Sequence, residues 1–230
     1  INKACQYISL DPALAAKVLK TANSPLYNSR RTATNIRQAV SILGTHAITT
    51  VALSFSLAST LMKQRHSDQS DFDSNSFWCR SIACALASRA LGEKLGSNSP
   101  DDLFLAGLLQ DIGVLAFNTI MPEEYAPIMA SANNYDELLK AEREAFGSGH
   151  DELGYMLLKK WHIPDHIALA CISSHTQPPV ATELIEPSLT ACVAVSGHLA
   201  DYFLAPNGSK KTDHVTQMAK SWLNLDGDVL

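Results

Sequence analysis

The sequence contains none of the short motifs that mark the common nucleotide-binding and hydrolytic sites. It has no H-E-x-x-H, G-x-S-x-G, Walker or G-x-G-x-x-G pattern, so nothing supports a zinc-protease helix, a nucleophile elbow or a glycine-rich phosphate loop. It also lacks a basic excess, since 18 Lys and Arg are set against 23 Asp and Glu, for a net charge of −5. This balance argues against nucleic acid as a direct partner.

Cysteine pairs and long apolar runs are missing too. The cysteines are odd in number and show no C-x-x-C spacing, so we interpret them as small buried hydrophobes in a reducing cytoplasm. Without a signal peptide or an apolar run near 18 residues, the chain is expected neither to enter nor to span a membrane. Its first residue, Ile1, lies inside a helical pattern, as in a piece cut from a longer protein. The five cysteines are Cys5, Cys79, Cys84, Cys171 and Cys192.

The alternating apolar pattern of a β-strand is also missing, and the sequence predicts an all-α fold. Residues 1–62 are predicted to form a small N-terminal helical subdomain, residues 63–74 a polar linker, and residues 75–230 a larger helical bundle. Caps, prolines and glycines set the expected helix limits. The predicted helices cover residues 12–22, 35–44, 45–62, 75–94, 100–113, 122–132, 135–146, 148–161, 164–174, 187–204 and 212–223.

The stretch Leu103–Gly113, reading LFLAGLLQDIG, is an apolar helical segment that carries one carboxylate. At 3.6 residues per turn, Asp111 shares a face with Phe104, Gly107 and Leu108. Moving a carboxylate out of water costs several kcal/mol of free energy unless a cation, a metal or hydrogen-bond donors contact it. The sequence therefore predicts a buried partner for Asp111.

Two further charges lie on apolar helix faces. Arg80 is the one charge on the stripe that runs through Cys84 to Leu91, and Asp201 shares a face with Val193 and Gly197. A lone arginine can extend from the edge of such a face into water, and a single Asp is usually an ordinary cap or ion pair. The alternative is a buried Arg–carboxylate pair, whose bidentate geometry makes burial tolerable.

Two histidines lie at helix ends. His150 begins a helix with Gly154 four residues later, and His175 ends one before a pair of prolines. An isolated histidine is more often structural than functional. We assign that ordinary role to His46, His66, His162, His166 and His214.

The order and spacing of several short motifs resemble the HDOD domain, a bacterial signalling relative of the HD phosphohydrolases. The resemblance covers about residues 8–204 and implies an HD-like helical bundle preceded by the small N-terminal subdomain. The motifs are Asp11-Pro12 with Ala22-Asn23-Ser24, Ile42-Leu43-Gly44, Phe77-Trp78, Ala106-Gly107 with Asp111-Ile112-Gly113, Phe146-Gly147, and Trp161-His162-Ile163-Pro164.

The resemblance also implies where a metal site would lie. In HD enzymes an early histidine, a consecutive His-Asp pair and a later Asp bind a divalent metal that activates water for phosphoester hydrolysis. Here those positions correspond to Arg80, Gln110, Asp111 and Asp201. Arginine cannot coordinate a metal and glutamine offers only a neutral carbonyl, so we expect the guanidinium of Arg80 to replace the metal and bridge the carboxylates.

His150 and His175 resemble the additional histidines of HD-GYP phosphodiesterases, which cleave cyclic dinucleotides. Ser174 stands where a second, adjacent histidine is expected. The predicted vestigial pocket therefore comprises these two histidines and the four residues at the metal positions.

Three functions remain open from the sequence. The preferred one is a non-catalytic, cytoplasmic signalling module that needs no cofactor and binds a partner protein or a small ligand. The alternative is a metal-dependent phosphohydrolase that uses a reduced set of ligands, namely Asp111, His150, His175 and Asp201. The third is an interaction domain with no ligand. The partner, the ligand and the oligomeric state are not specified by the sequence.

Overall fold

The structure is a computed structural model that describes residues 8, 12–24, 32–44, 47, 48, 52, 72–97, 99–176, 187–204 and 212–225. Every regular element in these ranges is a helix, which confirms the predicted all-α class. The chain divides into two compact units, Ile1–His66 and Ser67–Leu230. Most of the predicted linker, residues 63–71, lies outside the described ranges.

The first unit has its own small core. Helix α1 spans Pro12–Ala22, and residues 36–44 form a further helical segment that ends at Gly44 with a positive φ of 78°. Asn23 joins the two by hydrogen bonds to the backbone N–H and carbonyl of Ala33, at 2.7 and 2.9 Å. The buried core residues are Ile8, Val18, Ala22, Ala33, Ala39, Val40, Leu43, Ala47 and Ile48.

The second unit is a helical bundle. In chain order its helices are α2 Ser74–Lys94, α3 Pro100–Leu109, α4 Ile112–Ile120, α5 Pro122–Ser131, α6 Tyr135–Phe146, α7 His150–Lys160, α8 Asp165–Ser173, α9 Pro187–Leu204 and α10 Thr212–Leu223. Helix α2 packs against α3 and α9, α4 packs against α7, and α8 lies against α3, α7 and α9. This arrangement brings α2, α9, the α3–α4 junction, the start of α7 and the end of α8 around one buried region.

The largest correction to the predicted helices concerns Gly113. The sequence predicts a helix that breaks there, whereas α3 ends at Leu109, Gln110 and Asp111 form a turn, and α4 begins at Ile112. A Cβ at position 113 would lie 1.9 Å from the carbonyl oxygen of His150. This glycine therefore allows α4 and α7 to approach closely, and the break places Asp111 at the start of α4.

Two predicted helix starts also shift by one residue. Helix α2 begins at Ser74 rather than at residue 75, and the side chain of Asp73 accepts the backbone N–H groups of Asn75 and Ser76. In the first unit the second helical segment begins at residue 36 rather than 35, and the side chain of Asn35 accepts the N–H of Gln38, at 3.0 Å. Aspartate and asparagine are as effective as serine or threonine at this position, so composition alone does not choose between adjacent residues.

Two sequence-based expectations are also corrected, namely the burial of every cysteine and the absence of a long apolar run. Cys79 is exposed, while Cys84, Cys171 and Cys192 are buried, and Cys5 lies outside the described ranges. The stretch Pro100–Ile120 is long and apolar enough to cross a membrane, contrary to the sequence-based expectation that no such run exists. In the bundle 78% of its apolar window is buried, which is typical of a core segment.

Candidate functional site

Arg80 lies at the centre of the buried region. Its Nη1 donates to Oδ2 of Asp111, while its Nε and Nη2 donate to Oδ1 and Oδ2 of Asp201 at 2.6 and 3.3 Å. Only 7% of Arg80 and 2% of Asp111 is exposed to solvent. The guanidinium therefore bridges the carboxylate of the α3–α4 turn and that of α9, and its contact with Asp201 has the bidentate geometry that favours burial of an ion pair.

The surroundings of Arg80 keep it charged. Burial opposes its charge, but Asp111 and Asp201 outweigh that effect and raise the pKa of Arg80 well above its ordinary value. The ring of Tyr135, the first residue of α6, stacks on the guanidinium with 3.6 Å between Cζ and the ring centroid. An aromatic face adds a favourable cation–π interaction. Nothing in the sequence pattern indicates this contact.

The other oxygen of Asp111 faces two histidines. Nε2 of His175 lies 2.9 Å from Oδ1 of Asp111, and Nε2 of His150 lies 3.6 Å from the same oxygen. Burial alone would raise the pKa of Asp111, but the charge of Arg80 and the hydrogen bond from His175 hold it well below its usual range. Asp111 is therefore an ionised carboxylate with a cation on each side.

His175 connects the buried ion pair to the edge of the bundle. Its Nδ1 lies 3.2 Å from Oδ1 of Asp136, and the second oxygen of Asp136 lies 3.9 Å from Nε2 of His198. Burial lowers the pKa of His175, but its hydrogen bonds to Asp111 and Asp136 raise that pKa to about 9. The bond from His175 in turn lowers the pKa of Asp136.

Glu142 contacts His150 at Nδ1, the ring nitrogen opposite the one that faces Asp111. Its Oε2 accepts the backbone N–H of His150 and lies 2.7 Å from Nδ1 of the same residue, and its Oε1 accepts the hydroxyl of Tyr125. Sequence reasoning missed this carboxylate, although it lies on the buried face of α6 with Leu138 and Leu139. The rule that singled out Asp111 also applies to Glu142.

The four positions that correspond to the HD metal ligands do not fit a divalent cation. Arg80 supplies a fixed positive charge, and its guanidinium already bridges Asp111 and Asp201. Gln110 is 2% exposed, and its amide nitrogen finds no oxygen acceptor among the described residues. A neutral amide that points a donor into this region cannot replace an anionic or imidazole ligand.

A second group of donors does lie within metal-binding distances. Nε2 of His150, Nε2 of His175 and Oδ1 of Asp111 are 2.9 to 3.6 Å apart. Ligand atoms that share one first-row divalent ion, each at about 2.1 Å, are separated by similar distances. Among the described residues this is the one group of three or more ligands so arranged.

The structure thus brings all six predicted pocket residues to one region. Ser174, the expected position of a second histidine, instead donates to the carbonyl of Cys171 at 2.7 Å. Of the histidines assigned an ordinary role, His166 lies 3.1 Å from Asp102, and His214 packs edge-on against His198. His46 and His66 lie outside the described ranges.

A small cavity adjoins His175. Its volume is about 380 Å³, within the range of small-molecule sites. Its described walls come mainly from α6 and carry several charged side chains. They are Asp136, Leu139, Lys140, Arg143, Glu144 and His175.

The family of the chain follows from a comparison of its sequence with known domains. The sequence profile of the HDOD domain matches residues 1–178. The chain belongs to the HDOD family. The resemblance inferred from the motifs is therefore confirmed, and it includes the helix that supplies Arg80, the turn with Asp111 and the positions of both histidines.

Solved structures share the HDOD fold. An HDOD domain protein of unknown function from Geobacter sulfurreducens is 21% identical, with a TM-score of 0.77 over 98% of this chain and 77% of its own. A candidate phosphohydrolase from Shewanella amazonensis is 22% identical, with a TM-score of 0.71 over 98% and 78% of the two chains. The MmoQ response regulator of Methylococcus capsulatus is 30% identical, with a TM-score of 0.54 over 94% and 82%.

The chain is also similar to a curated protein that is much longer. It is 24% identical over 187 residues to an uncharacterised protein from Treponema pallidum. That match covers 80% of this chain and 35% of the relative. The HDOD chain thus spans about a third of the length of the curated relative it matches.

Proposed function

We propose that this chain is a non-catalytic, cytoplasmic signal-transduction module that binds a partner protein or a small polar ligand. The observation that carries the proposal is the position of Arg80, whose guanidinium joins Asp111 and Asp201 where an HD enzyme would hold its metal. Arginine remains protonated at any physiological pH, so this cation is permanent. Similarity to a protein named as a response regulator supports a role in signalling.

The region around Arg80 also supports ligand binding over a purely structural role. Its charged groups are densely connected by hydrogen bonds, and the cavity beside His175 gives a polar ligand access to one member of the network. A ligand that displaces Asp136 from His175 would alter the charge next to Asp111. In the proposed module, binding at the surface thereby changes the stability of the buried ion pair.

The test combines metal analysis with an activity assay. We expect purified protein to contain less than about 0.1 equivalent of divalent metal, and to hydrolyse neither bis-p-nitrophenyl phosphate nor a cyclic dinucleotide with added Mn²⁺. A Gln110→His variant is the matched control, because it restores one ligand while leaving Arg80 in place. Stoichiometric metal together with turnover in the unmodified protein would overturn the proposal.

A metal-dependent phosphohydrolase is the second candidate, favoured by the close grouping of Asp111, His150 and His175. These residues would hold one divalent ion, and the ion would activate a water molecule for attack on a phosphoester. Asp201, included in the sequence-based ligand set, is occupied by Arg80 on both oxygens. Under this candidate, loss of metal on changing His150 to Ala would be accompanied by loss of turnover.

A further inference from the structure

Glu142 is a buried carboxylate for which the proposed function has no use. It is fully buried, with 0% of its surface exposed, and an ionised carboxylate at such a position requires several donors. Three donors meet it, namely the hydroxyl of Tyr125, the backbone N–H of His150 and the ring Nδ1 of His150. Two of the three come from one histidine, so the carboxylate and that ring are tightly coupled.

The contact fixes the position of a proton on His150. Oε2 of Glu142 already accepts the backbone N–H at 2.7 Å and lies 2.7 Å from Nδ1. A carboxylate can only accept, so Nδ1 must carry its proton. The other ring nitrogen, Nε2, is directed at the centre of the site, where it lies 3.1 Å from Nε2 of His175 and 3.6 Å from Oδ1 of Asp111.

The contacts of His175 show that Nε2 of His150 carries no proton. Nε2 of His150 lies 3.1 Å from Nε2 of His175, and two ring nitrogens at that distance need one proton between them. The proton lies on His175, because its Nε2 also faces Oδ1 of Asp111 at 2.9 Å and a carboxylate oxygen only accepts. With Nδ1 of His150 protonated towards Glu142 and Nε2 bare towards His175, each contact has one donor and one acceptor.

Tyr125 holds Glu142 in turn. It is fully buried and donates its hydroxyl to Oε1 of Glu142, on the side away from His150. Burial and the charge of Glu142 raise the pKa of Tyr125 far above its usual range, so it stays a donor. Its ring stacks on Phe117, with 5.2 Å between the centroids, which anchors this support in the core.

We propose that Glu142 is the positioning residue of the site, which holds His150 in the Nδ1–H tautomer with its bare Nε2 directed at His175 and Asp111. The proposal deepens the proposed function because it concerns the same site. It does not depend on whether the occupant is a ligand or a metal, since both would meet the same bare nitrogen. An outer carboxylate that orients a histidine in this way is a common device in binding and catalytic sites.

The test is a ring-nitrogen NMR spectrum of ¹⁵N-histidine-labelled protein as purified, with His150 assigned by a His150→Gln variant. We expect Nδ1 of His150 to be protonated and Nε2 to be bare, which is the minor tautomer of free neutral histidine. A Glu142→Leu variant should shift the tautomer ratio by about tenfold or more, as expected for losing a hydrogen bond to a charged group. Glu142→Gln should retain the tautomer, because its carbonyl can accept the same proton.

Glu124→Leu is the matched control, because it removes an exposed carboxylate of the same bundle and should leave the tautomer unchanged. A wild-type spectrum with the proton on Nε2 of His150 would overturn the proposal, even if Glu142→Leu fails to fold. An unchanged tautomer in a folded Glu142→Leu variant would also overturn it. Metal measured in the same samples would overturn the proposed function alone, because a metal also requires a bare Nε2.

Discussion

Changing Arg80 to Ala should destabilise the protein far more than the loss of a surface arginine. Asp111 would remain ionised and 2% exposed, with only the two histidines to offset its charge. Breaking a buried ion pair by removing one partner costs about 3–5 kcal/mol. Most of this cost arises at Asp111, because the side chain of Asp201 is 21% exposed and can be solvated.

The measurement is the free energy of unfolding in urea, followed by circular dichroism, with a thermal melt as a second readout. For a chain of this length about 1 kcal/mol corresponds to about 2–4 °C, so a cost of about 3–5 kcal/mol should lower the melting temperature by about 6–20 °C. Arg37 is exposed and provides the control. An Arg37→Ala change should cost less than about 0.5 kcal/mol.

A second variant separates the ion pair from simple loss of packing. Replacing both partners, as Arg80→Met with Asp111→Leu, removes the unpaired charge and should recover most of the stability lost in Arg80→Ala, since apolar replacement of a buried pair is often neutral. A loss below about 1 kcal/mol for Arg80→Ala would refute the reasoning. So would a double variant whose loss equals the sum of the two single losses.

Three further predictions concern the same region. The Arg80→His variant combined with Gln110→His should acquire about one equivalent of Mn²⁺ or Zn²⁺ by mass spectrometry, whereas equal metal content in wild type and variant would contradict the replacement account. Because the pKa of His175 is raised from 6.5 to about 9, its contribution to stability, on the order of 3 kcal/mol, is complete below about pH 6.5. This contribution is lost as the pH rises through about 9. The free energy of unfolding in urea should therefore fall further between pH 6 and pH 9.5 in the wild type than in His175→Gln. An equal fall in both proteins would argue against a charged His175. Gly113→Ala should lower the free energy of unfolding by at least about 1–3 kcal/mol through overpacking, because its Cβ would lie 1.9 Å from a backbone oxygen. Gly197→Ala should be tolerated, because the atoms nearest to its Cβ lie at 3.4–3.7 Å. Equal losses of stability in thermal melts of the two variants would contradict the assigned contacts.

The helices were largely predictable because their signals are local. Pro187–Leu204 and Thr212–Leu223 have the predicted limits. Helix α6 also has its predicted limits, Tyr135–Phe146, and the side chain of Asn134 caps it by accepting the N–H of Glu137 at 2.9 Å. Proline, glycine and capping side chains act within one turn of the helix end. The predicted break at Gly113 is misplaced for a different reason. A glycine is needed there because the backbone of α7 approaches closely, and not because its own helix ends.

The ion pair at the site was predictable because charge on an apolar face is visible in the sequence. Arg80, Asp111 and Asp201 each interrupt an apolar stripe, and the resemblance to HD enzymes indicates which of them meet. The stacking of Tyr135 on Arg80 was not predictable, because aromatic residues occur on buried faces for many reasons. Such contacts depend on how helices distant in sequence pack together, which periodicity does not encode.

The central claim is that the guanidinium of Arg80 has replaced the metal of the HD enzymes. A crystal soaked in Mn²⁺, with anomalous diffraction recorded, tests it most directly. The account predicts density for the guanidinium in hydrogen-bond contact with both Asp111 and Asp201, and no anomalous peak at those carboxylates. An anomalous peak bound to Asp111, with Arg80 turned away from both carboxylates, would contradict it.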